Sequence, residues 1–405
     1  MENDRRGEAG ASTRIAVGTP QFRRVNIAIF FCGFSIFAIL YCPQPILPLF
    51  SESFGVTAAE SSLALSLTAA TMAVAMLFAS SLSEVIGRKP MMLGALLSSS
   101  VLTLALAFAQ DWNQVLWLRA LAGIALSGMP AVALAYLAEE MEPKAVASAV
   151  GIYIGGGAFG GMAGRLVTAV FADYGSWRLA IAVLALMGLA SAFAFWRALP
   201  ASAHFIARKP SLVNLASSML VCARNPGIAL LLVLGFLLLG GFMTIYNYLG
   251  FRLQAEPFLL SQALAGLIFI VYPAGSIASA FMGGQAAKYG RGPVLVASLS
   301  LMTFGLLLMT PDNLPAIMAG LVILTFGFFG AHAIASGWAA TLVEKDKAQA
   351  SSLYLLFYYV GGGAAGTAGG IFWASAAWPG VALFAGAMMA GTIVSALLLW
   401  RIAPR

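Results

Sequence analysis

Twelve apolar runs follow one another along this 405-residue chain, at roughly 25–50, 62–86, 91–109, 114–138, 146–170, 178–197, 227–251, 262–282, 293–310, 314–338, 349–372 and 378–400. A run of about twenty apolar residues is the length that crosses a bilayer as a helix. In lipid a helix also satisfies every backbone hydrogen bond within one segment. Charged residues make up 9 % of the chain and apolar ones 61 %. Too few polar side chains therefore exist to cover a water-facing surface, and a soluble fold is excluded. The expected fold class is an all-α polytopic membrane protein with twelve transmembrane helices.

A short loop signature occurs twice, half a chain apart. Gly87-Arg88-Lys89-Pro90 returns as Gly290-Arg291-Gly292-Pro293, an offset of 203. Tyr153-Ile154-Gly155-Gly156-Gly157-Ala158 returns as Tyr359-Val360-Gly361-Gly362-Gly363-Ala364, an offset of 206. Duplicated membrane units of this kind build transporters. The expected organisation is an N-terminal tail (1–24), a six-helix bundle (25–197), a central loop (198–226), a second six-helix bundle (227–400) and a short tail (401–405), the bundles being pseudo-symmetric.

Basic residues prefer cytoplasmic loops. With both termini inside, 18 of the 22 Lys and Arg are cytoplasmic, the Arg5-Arg6 pair, Arg208, Lys209 and Arg405 among them. Arg178 and Arg252 fall at outer span ends, and Arg119 and Arg165 within spans 4 and 5. The net charge of +7 is thus loop charge facing anionic lipid and implies no nucleic-acid partner. Cys32, Cys42 and Cys222 have no metal or disulfide spacing, and no cofactor is expected. The first run is too long for a signal h-region and reads as a permanent span.

Several residues stand out against this background. Gly87 suits a tight turn and Pro90 a first helical turn, while Glu84 can pair with Arg88 or face a helix N-terminus. Glu84, Gly87, Arg88, Lys89, Gly290 and Arg291 form a candidate conformational latch; the bland alternative is an ordinary basic loop. Arg119 and Arg165 are costly in a membrane and need a partner or a wet cavity, unless Arg119 snorkels. Gly156, Gly160 and Gly161 in span 5, echoed by Gly362 and Gly366 in span 11, let helices approach closely. Tyr41 and Gln44 in a Pro-broken segment match Tyr246 and Asn247 in the second half. Such paired interruptions point to a central substrate site, to which Arg119 is also assigned, although an aromatic belt reads the same way. His332 is the one histidine expected in the membrane, either a proton carrier or a neutral inter-helix partner. Met72 and Met76 read as packing, not as a soft-metal site.

The loop around Gly87 resembles the signature of the major facilitator superfamily, Gly-x-x-x-Asp-Arg-x-Gly-Arg-Arg/Lys. Gly87, Arg88 and Lys89 match it, with Ser80, Glu84 and Val85 departing from it. The second copy keeps Gly290 and Arg291 but has Ala287 at the acidic position. Gly18-Thr19-Pro20-Gln21-Phe22, Leu40-Tyr41-Cys42-Pro43-Gln44-Pro45-Ile46-Leu47-Pro48 and Gln349-Ala350-Ser351-Ser352-Leu353-Tyr354-Leu355 resemble the twelve-span drug and metabolite efflux branch, within it certain bacterial inner-membrane proteins. The resemblance implies a monomeric inner-membrane carrier with a small-molecule site between bundles, lined by spans 1, 4, 7 and 10. It also links Arg119-x-x-x-Gly123 to proton coupling, and a Gly-Pro-x-x-Gly-Gly pattern in span 5 to antiport, although Gly157 replaces the Pro.

All 15 acidic residues fall in tails, loops or helix ends, Glu84 being the nearest to a membrane interior. A proton role would fall to Glu84, Asp173, His332 or the substrate, and the cavity is expected to favour neutral or anionic substrates over cations. Proton-driven efflux is the first reading, with uptake or facilitated diffusion second and a membrane sensor a remote third. No HExxH, Gly-x-Ser-x-Gly or P-loop pattern occurs, so neither an enzyme nor an ATP-driven pump is expected.

Overall fold

The computed structural model describes residues 14–205 and 212–403. The Arg5-Arg6 pair, Arg208, Lys209 and Arg405 lie outside the described residues. The helices are α1 (Pro20–Tyr41), α2 (Leu47–Phe54), α3 (Ala58–Ile86), α4 (Arg88–Leu106), α5 (Trp112–Leu126), α6 (Pro130–Glu140), α7 (Pro143–Tyr174), α8 (Trp177–Ala198), α9 (Leu212–Ala223), α10 (Pro226–Gln254), α11 (Gln262–Gly266), α12 (Tyr272–Tyr289), α13 (Arg291–Leu308), α14 (Leu314–Ala339) and α15 (Lys347–Ile402). Among the described residues the one departure from helix and loop is an isolated bridge from Ile15 to Met141.

Ten continuous helical stretches are long and apolar enough to cross a membrane. They hold eleven spans, because α15 has 56 residues and would reach about 84 Å if straight, far beyond a ~30 Å hydrocarbon core. Its backbone leaves the helical region at Ala376 and Ala377, dividing it into spans 11 and 12. Span 4 is the twelfth, made of α5 and α6, each too short alone.

Prolines interrupt three of the spans, two of them beyond the broken segment expected in span 1. Pro130 opens α6 after an irregular turn at residues 127–129, and Pro273 sits in the first turn of α12 after a 3₁₀ stretch, Leu267–Val271. Each removes a backbone donor that a continuous helix would need. Pro43 and Pro45 do the same in span 1, where a 3₁₀ turn, Gln44–Ile46, separates α1 from α2. The stretch 198–226 is not all loop, since it contains α9; Cys222 near its end is buried.

Close backbone contact builds each bundle. Side chains at Gly156, Gly160 or Gly164 would strike the backbones of Phe30, Phe34 and Ala38 in span 1. In the second half Gly361 presses on the Phe236 carbonyl and Gly362 on Leu239, both in span 7. The duplication is thus visible as two equivalent helix pairs, spans 1 with 5 and 7 with 11.

The repeated loops share one backbone conformation: Gly87 has φ 99° and ψ 153°, Gly290 φ 91° and ψ 153°. An L side chain there costs on the order of 1–3 kcal/mol. Gly87→Ala and Gly290→Ala should each lower the melting temperature of detergent-purified protein. Gly94→Ala, inside α4 with open space at its Cβ position, should leave it unchanged or raise it.

Candidate functional site

Arg165 of span 5 stands at the junction of the two halves and is fully buried. Its Nε donates to Gln44 Oε1 at 2.7 Å, and Gln44 Nε2 donates to Asn247 Oδ1 at 2.8 Å. One amide therefore links a cation in the first half to span 7 of the second. Arg165 Nη1 donates to the Gly161 carbonyl at 2.7 Å, one turn back, where a Cβ would come within 3.3 Å of Nη1. The guanidinium carbon lies 4.1 Å from the Tyr41 ring centroid, 4.5 Å from Tyr272 and 5.0 Å from Phe269. Aromatic faces attract a cation by their quadrupole, which lowers the cost of this burial without a carboxylate.

Three polar groups of this junction are left over. Arg165 Nη2, Asn247 Nδ2 and the Tyr272 hydroxyl are buried and make no well-formed hydrogen bond among the described residues, the Tyr272 hydroxyl facing the Arg165 guanidinium. Each such group costs about 1–3 kcal/mol while unmet.

Tyr41, Gln44 and Asn247, expected at a central site, do come together here, with Arg165 at their centre. Tyr246 lies close by; its hydroxyl pairs with Thr325 at 2.7 Å and its ring is 5.5 Å from Tyr272. Tyr246, Asn247 and Tyr248 are all buried, so they form no interfacial belt. An aromatic wall continues through Phe242, 4.6 Å from Tyr246, to Phe328 at 3.7 Å and on to His332 at 6.3 Å. His332 Nδ1 lies 3.1 Å from the Tyr354 hydroxyl, and its ring stacks on Tyr358 at 4.3 Å. Tyr272, Phe269 and Tyr358 were not among the expected site residues; nothing in an apolar run separates them from packing aromatics. Gly366 faces Asn247 Nδ2, which a Cβ there would meet at 3.0 Å.

Arg119 is elsewhere. Its Nε donates to Ala64 O at 2.8 Å, Nη1 to Ile39 O at 3.0 Å and Nη2 to Leu40 O at 2.8 Å. All three carbonyls belong to its own half. The Ile39 carbonyl is the one that Pro43 leaves without a helical donor. Its guanidinium thus finds neither a carboxylate nor the inter-bundle junction, and every nitrogen is engaged.

The two halves are clamped together on the face opposite the basic loops. Ser62 Oγ donates to Thr367 Oγ1 at 3.1 Å, and Thr367 Oγ1 to Ser66 Oγ at 2.8 Å, joining spans 2 and 11. Asp173, at the end of span 5, accepts from the Ser261 hydroxyl at 3.2 Å and the Gln262 amide N–H at 3.1 Å. Gln262 Nε2 donates to Pro45 O at 2.6 Å. Gly370 lies against Ala59 with no room for a Cβ.

On the basic-loop face the structure corrects the expected pairing. Arg88 Nη2 and Nε donate to Glu139 at 2.6 and 3.2 Å, and Nη1 to the Ser83 hydroxyl. Glu84 has no hydrogen bond or ion pair among the described residues. The turn at Gly87 sends Arg88 inward toward the end of α6, whereas Glu84 lies about 100° round α3 from buried Ser83. Lys89 Nζ donates to the Trp196 carbonyl at 3.2 Å and to that of Leu199. Arg291 Nη1 instead donates to Thr341 Oγ1 at 2.5 Å, so the second copy has a hydroxyl where the first has a carboxylate. Nor is Glu84 the most buried acid: Glu140 is 2 % exposed and lies 3.1 Å from His204. Adjacent acids closing a span on the basic side were the available signal for both.

Duplicated six-helix bundles around a buried polar junction, clamped at one face, are the build of a membrane carrier. Residues 29–256 match the model of the Major Facilitator Superfamily, and the chain belongs to that family. It is 44 % identical to the inner membrane transport protein YnfM of Escherichia coli, over 98 % of this chain and 94 % of that protein. It is 42 % identical to the MFS-type transporter YybF of Bacillus subtilis, over 91 % of each. A solved bacterial homologue of the lysosomal transporter Spinster, inward-facing and unoccupied, superposes with a TM-score of 0.74 at 14 % identity, covering 95 % of this chain and 96 % of that one. The protein is a secondary transporter and not an enzyme.

Proposed function

We propose that the protein exports a small organic molecule from the bacterial cytoplasm across the inner membrane, driven by protons. The reading takes the basic loops and both termini as cytoplasmic and the chain as a monomer. The working units are the bundles 25–197 and 227–400, joined through 198–226. The structure is then the inward-facing state, its outer face sealed by the Ser62–Thr367–Ser66 chain and by Asp173. The Arg88–Glu139 pair, formed here within the first bundle, and the Gly87 and Gly290 turns fix the basic loops that act as the conformational latch. The observation that carries the reading is the Arg165–Gln44–Asn247 relay, which spans the two halves and must break when they rock.

One observation favours a second reading. No carboxylate pairs with Arg119, Arg165 or His332 among the described residues. Facilitated diffusion of a neutral or anionic metabolite, without protons, fits that arrangement.

Proteoliposomes containing a pH dye separate the two. Coupled export predicts an internal pH change that requires both protein and substrate. Substrate flux with no pH change gives the uniport reading instead. Carrier action itself is tested without knowing the substrate: a Ser62→Cys/Thr367→Cys pair should cross-link in one state and become separately labelled in the other. A pair that never separates under any condition rejects alternating access.

A further inference from the structure

The three unmet groups at the junction specify what would satisfy them. We propose that the site takes a planar aromatic anion, such as an aromatic carboxylate, with its anionic group on Arg165 and its ring among the surrounding aromatic faces. This deepens the carrier reading and rests on it.

Each part of the ligand is dictated by a different observation. Arg165 Nη2 and Asn247 Nδ2 are donors without acceptors, and Tyr272 offers a hydroxyl that can donate as well. A ligand meeting them must present acceptor atoms. A carboxylate accepts from a guanidinium and an amide together, and charge assistance makes such bonds stronger than neutral ones. Charge sets the sign. Arg165 pairs with no carboxylate among the described residues, so its field is uncompensated at close range. A fixed cation entering the junction would meet repulsion in a medium of low dielectric, where screening by water is absent.

The walls dictate the body. Tyr41, Tyr246, Phe269 and Tyr272 surround the polar centre, and Phe242 with Phe328 extend the surface toward His332. Flat rings stack on flat ligands, with offset or edge contacts adding to the burial of apolar area. Tyr41 is half-buried, covers one face of the guanidinium and stacks on Phe37, also half-buried. A rotation of the Tyr41 side chain would uncover the guanidinium, and the ligand ring would take its place over the cation.

The test uses two fluorescent probes of similar shape and opposite charge, 2-naphthoate and N-methylquinolinium, titrated into purified full-length protein. The natural chain should bind naphthoate at least tenfold more tightly than the cation. Arg165→Gln should weaken naphthoate at least tenfold. Asn247→Asp keeps an acceptor for Gln44 and adds a negative charge one amide away from the guanidinium, across Gln44, so it should lower naphthoate affinity and raise that of the cation. This second variant tests the charge argument even if Arg165→Gln fails to fold. Equal or tighter binding of the cation by the natural chain overturns the proposal, as does an unchanged ratio in Asn247→Asp. Binding of neither probe, by protein whose Ser62→Cys/Thr367→Cys pair still opens and closes, overturns the ligand class while the carrier reading stands. A pair that never opens overturns both.

Discussion

Gly370→Val should hold the carrier open on the face that this structure shows closed. Gly370 lies in span 11 against Ala59 at the start of span 2, and a Cβ there would fall on the Ala59 backbone. Backbone at a helix start cannot swing aside as a flexible side chain can, so the clash is relieved by parting the two spans. Gly363, two turns earlier, forms the other tight point of the same seam, since a Cβ there would come within 3.0 Å of Ser66 O. Overpacking costs roughly 1–3 kcal/mol, and each 1.4 kcal/mol is about a tenfold change in an equilibrium. Because the clash exists in one state and vanishes in the other, nearly all of that cost shifts the balance between states. Cross-linking through Ser62→Cys/Thr367→Cys, whose native hydroxyls sit 3.1 Å apart, should fall about tenfold or more when Gly370 carries a valine. Gly155→Val, at a position with open space around it, should not change the yield. An undiminished yield in Gly370→Val would mean that spans 2 and 11 are not the seam that opens.

The seam also marks where sequence stops being informative. Span lengths were legible because a bilayer demands about twenty apolar residues whatever the neighbours are. The duplication was legible because Gly87 and Gly290 need a backbone conformation that only glycine takes without strain. Contacts between spans follow no such local rule. Gly156, Gly160, Gly363 and Gly370 look alike in sequence, yet the first two pack span 5 on span 1 inside one bundle and the last two join the bundles. Arg88 sits four residues from Glu84, and local spacing favoured that pair; the actual partner, Glu139, is 51 residues away. Arg165 and Arg119 illustrate the same limit. Both are single cations in apolar runs at similar depth, and only the fold separates one at the junction from one sealed within a bundle.

For Arg119 the sequence did contain a usable clue, in Pro43. A proline at that position strips the helical donor from the Ile39 carbonyl, and in a membrane something other than water must replace it. Arg119 supplies that donor and serves Leu40 and Ala64 as well. Arg119→Leu should therefore act first on stability. The Leu40 carbonyl is left unmet at about 1–3 kcal/mol, whereas Ile39 O keeps the Cys42 thiol and Ala64 O the Thr68 hydroxyl, and removal of a buried charge returns part of the cost. A net loss of roughly 1–2 kcal/mol is expected, read as a drop in melting temperature and in the yield of monodisperse protein. Arg119→Lys keeps the charge and three N–H donors but not the planar fork, so it should fall between the leucine variant and the natural chain. Substrate-dependent proton movement, scaled to folded protein, should then persist in Arg119→Lys. The family resemblance gives this arginine a part in proton coupling, and the two roles separate in one comparison. A lysine variant that melts normally yet moves substrate without protons would return Arg119 to the coupling machinery. If stability and transport decline together across the series, its work is to hold the broken end of span 1, on which Gln44 and the relay to Asn247 depend.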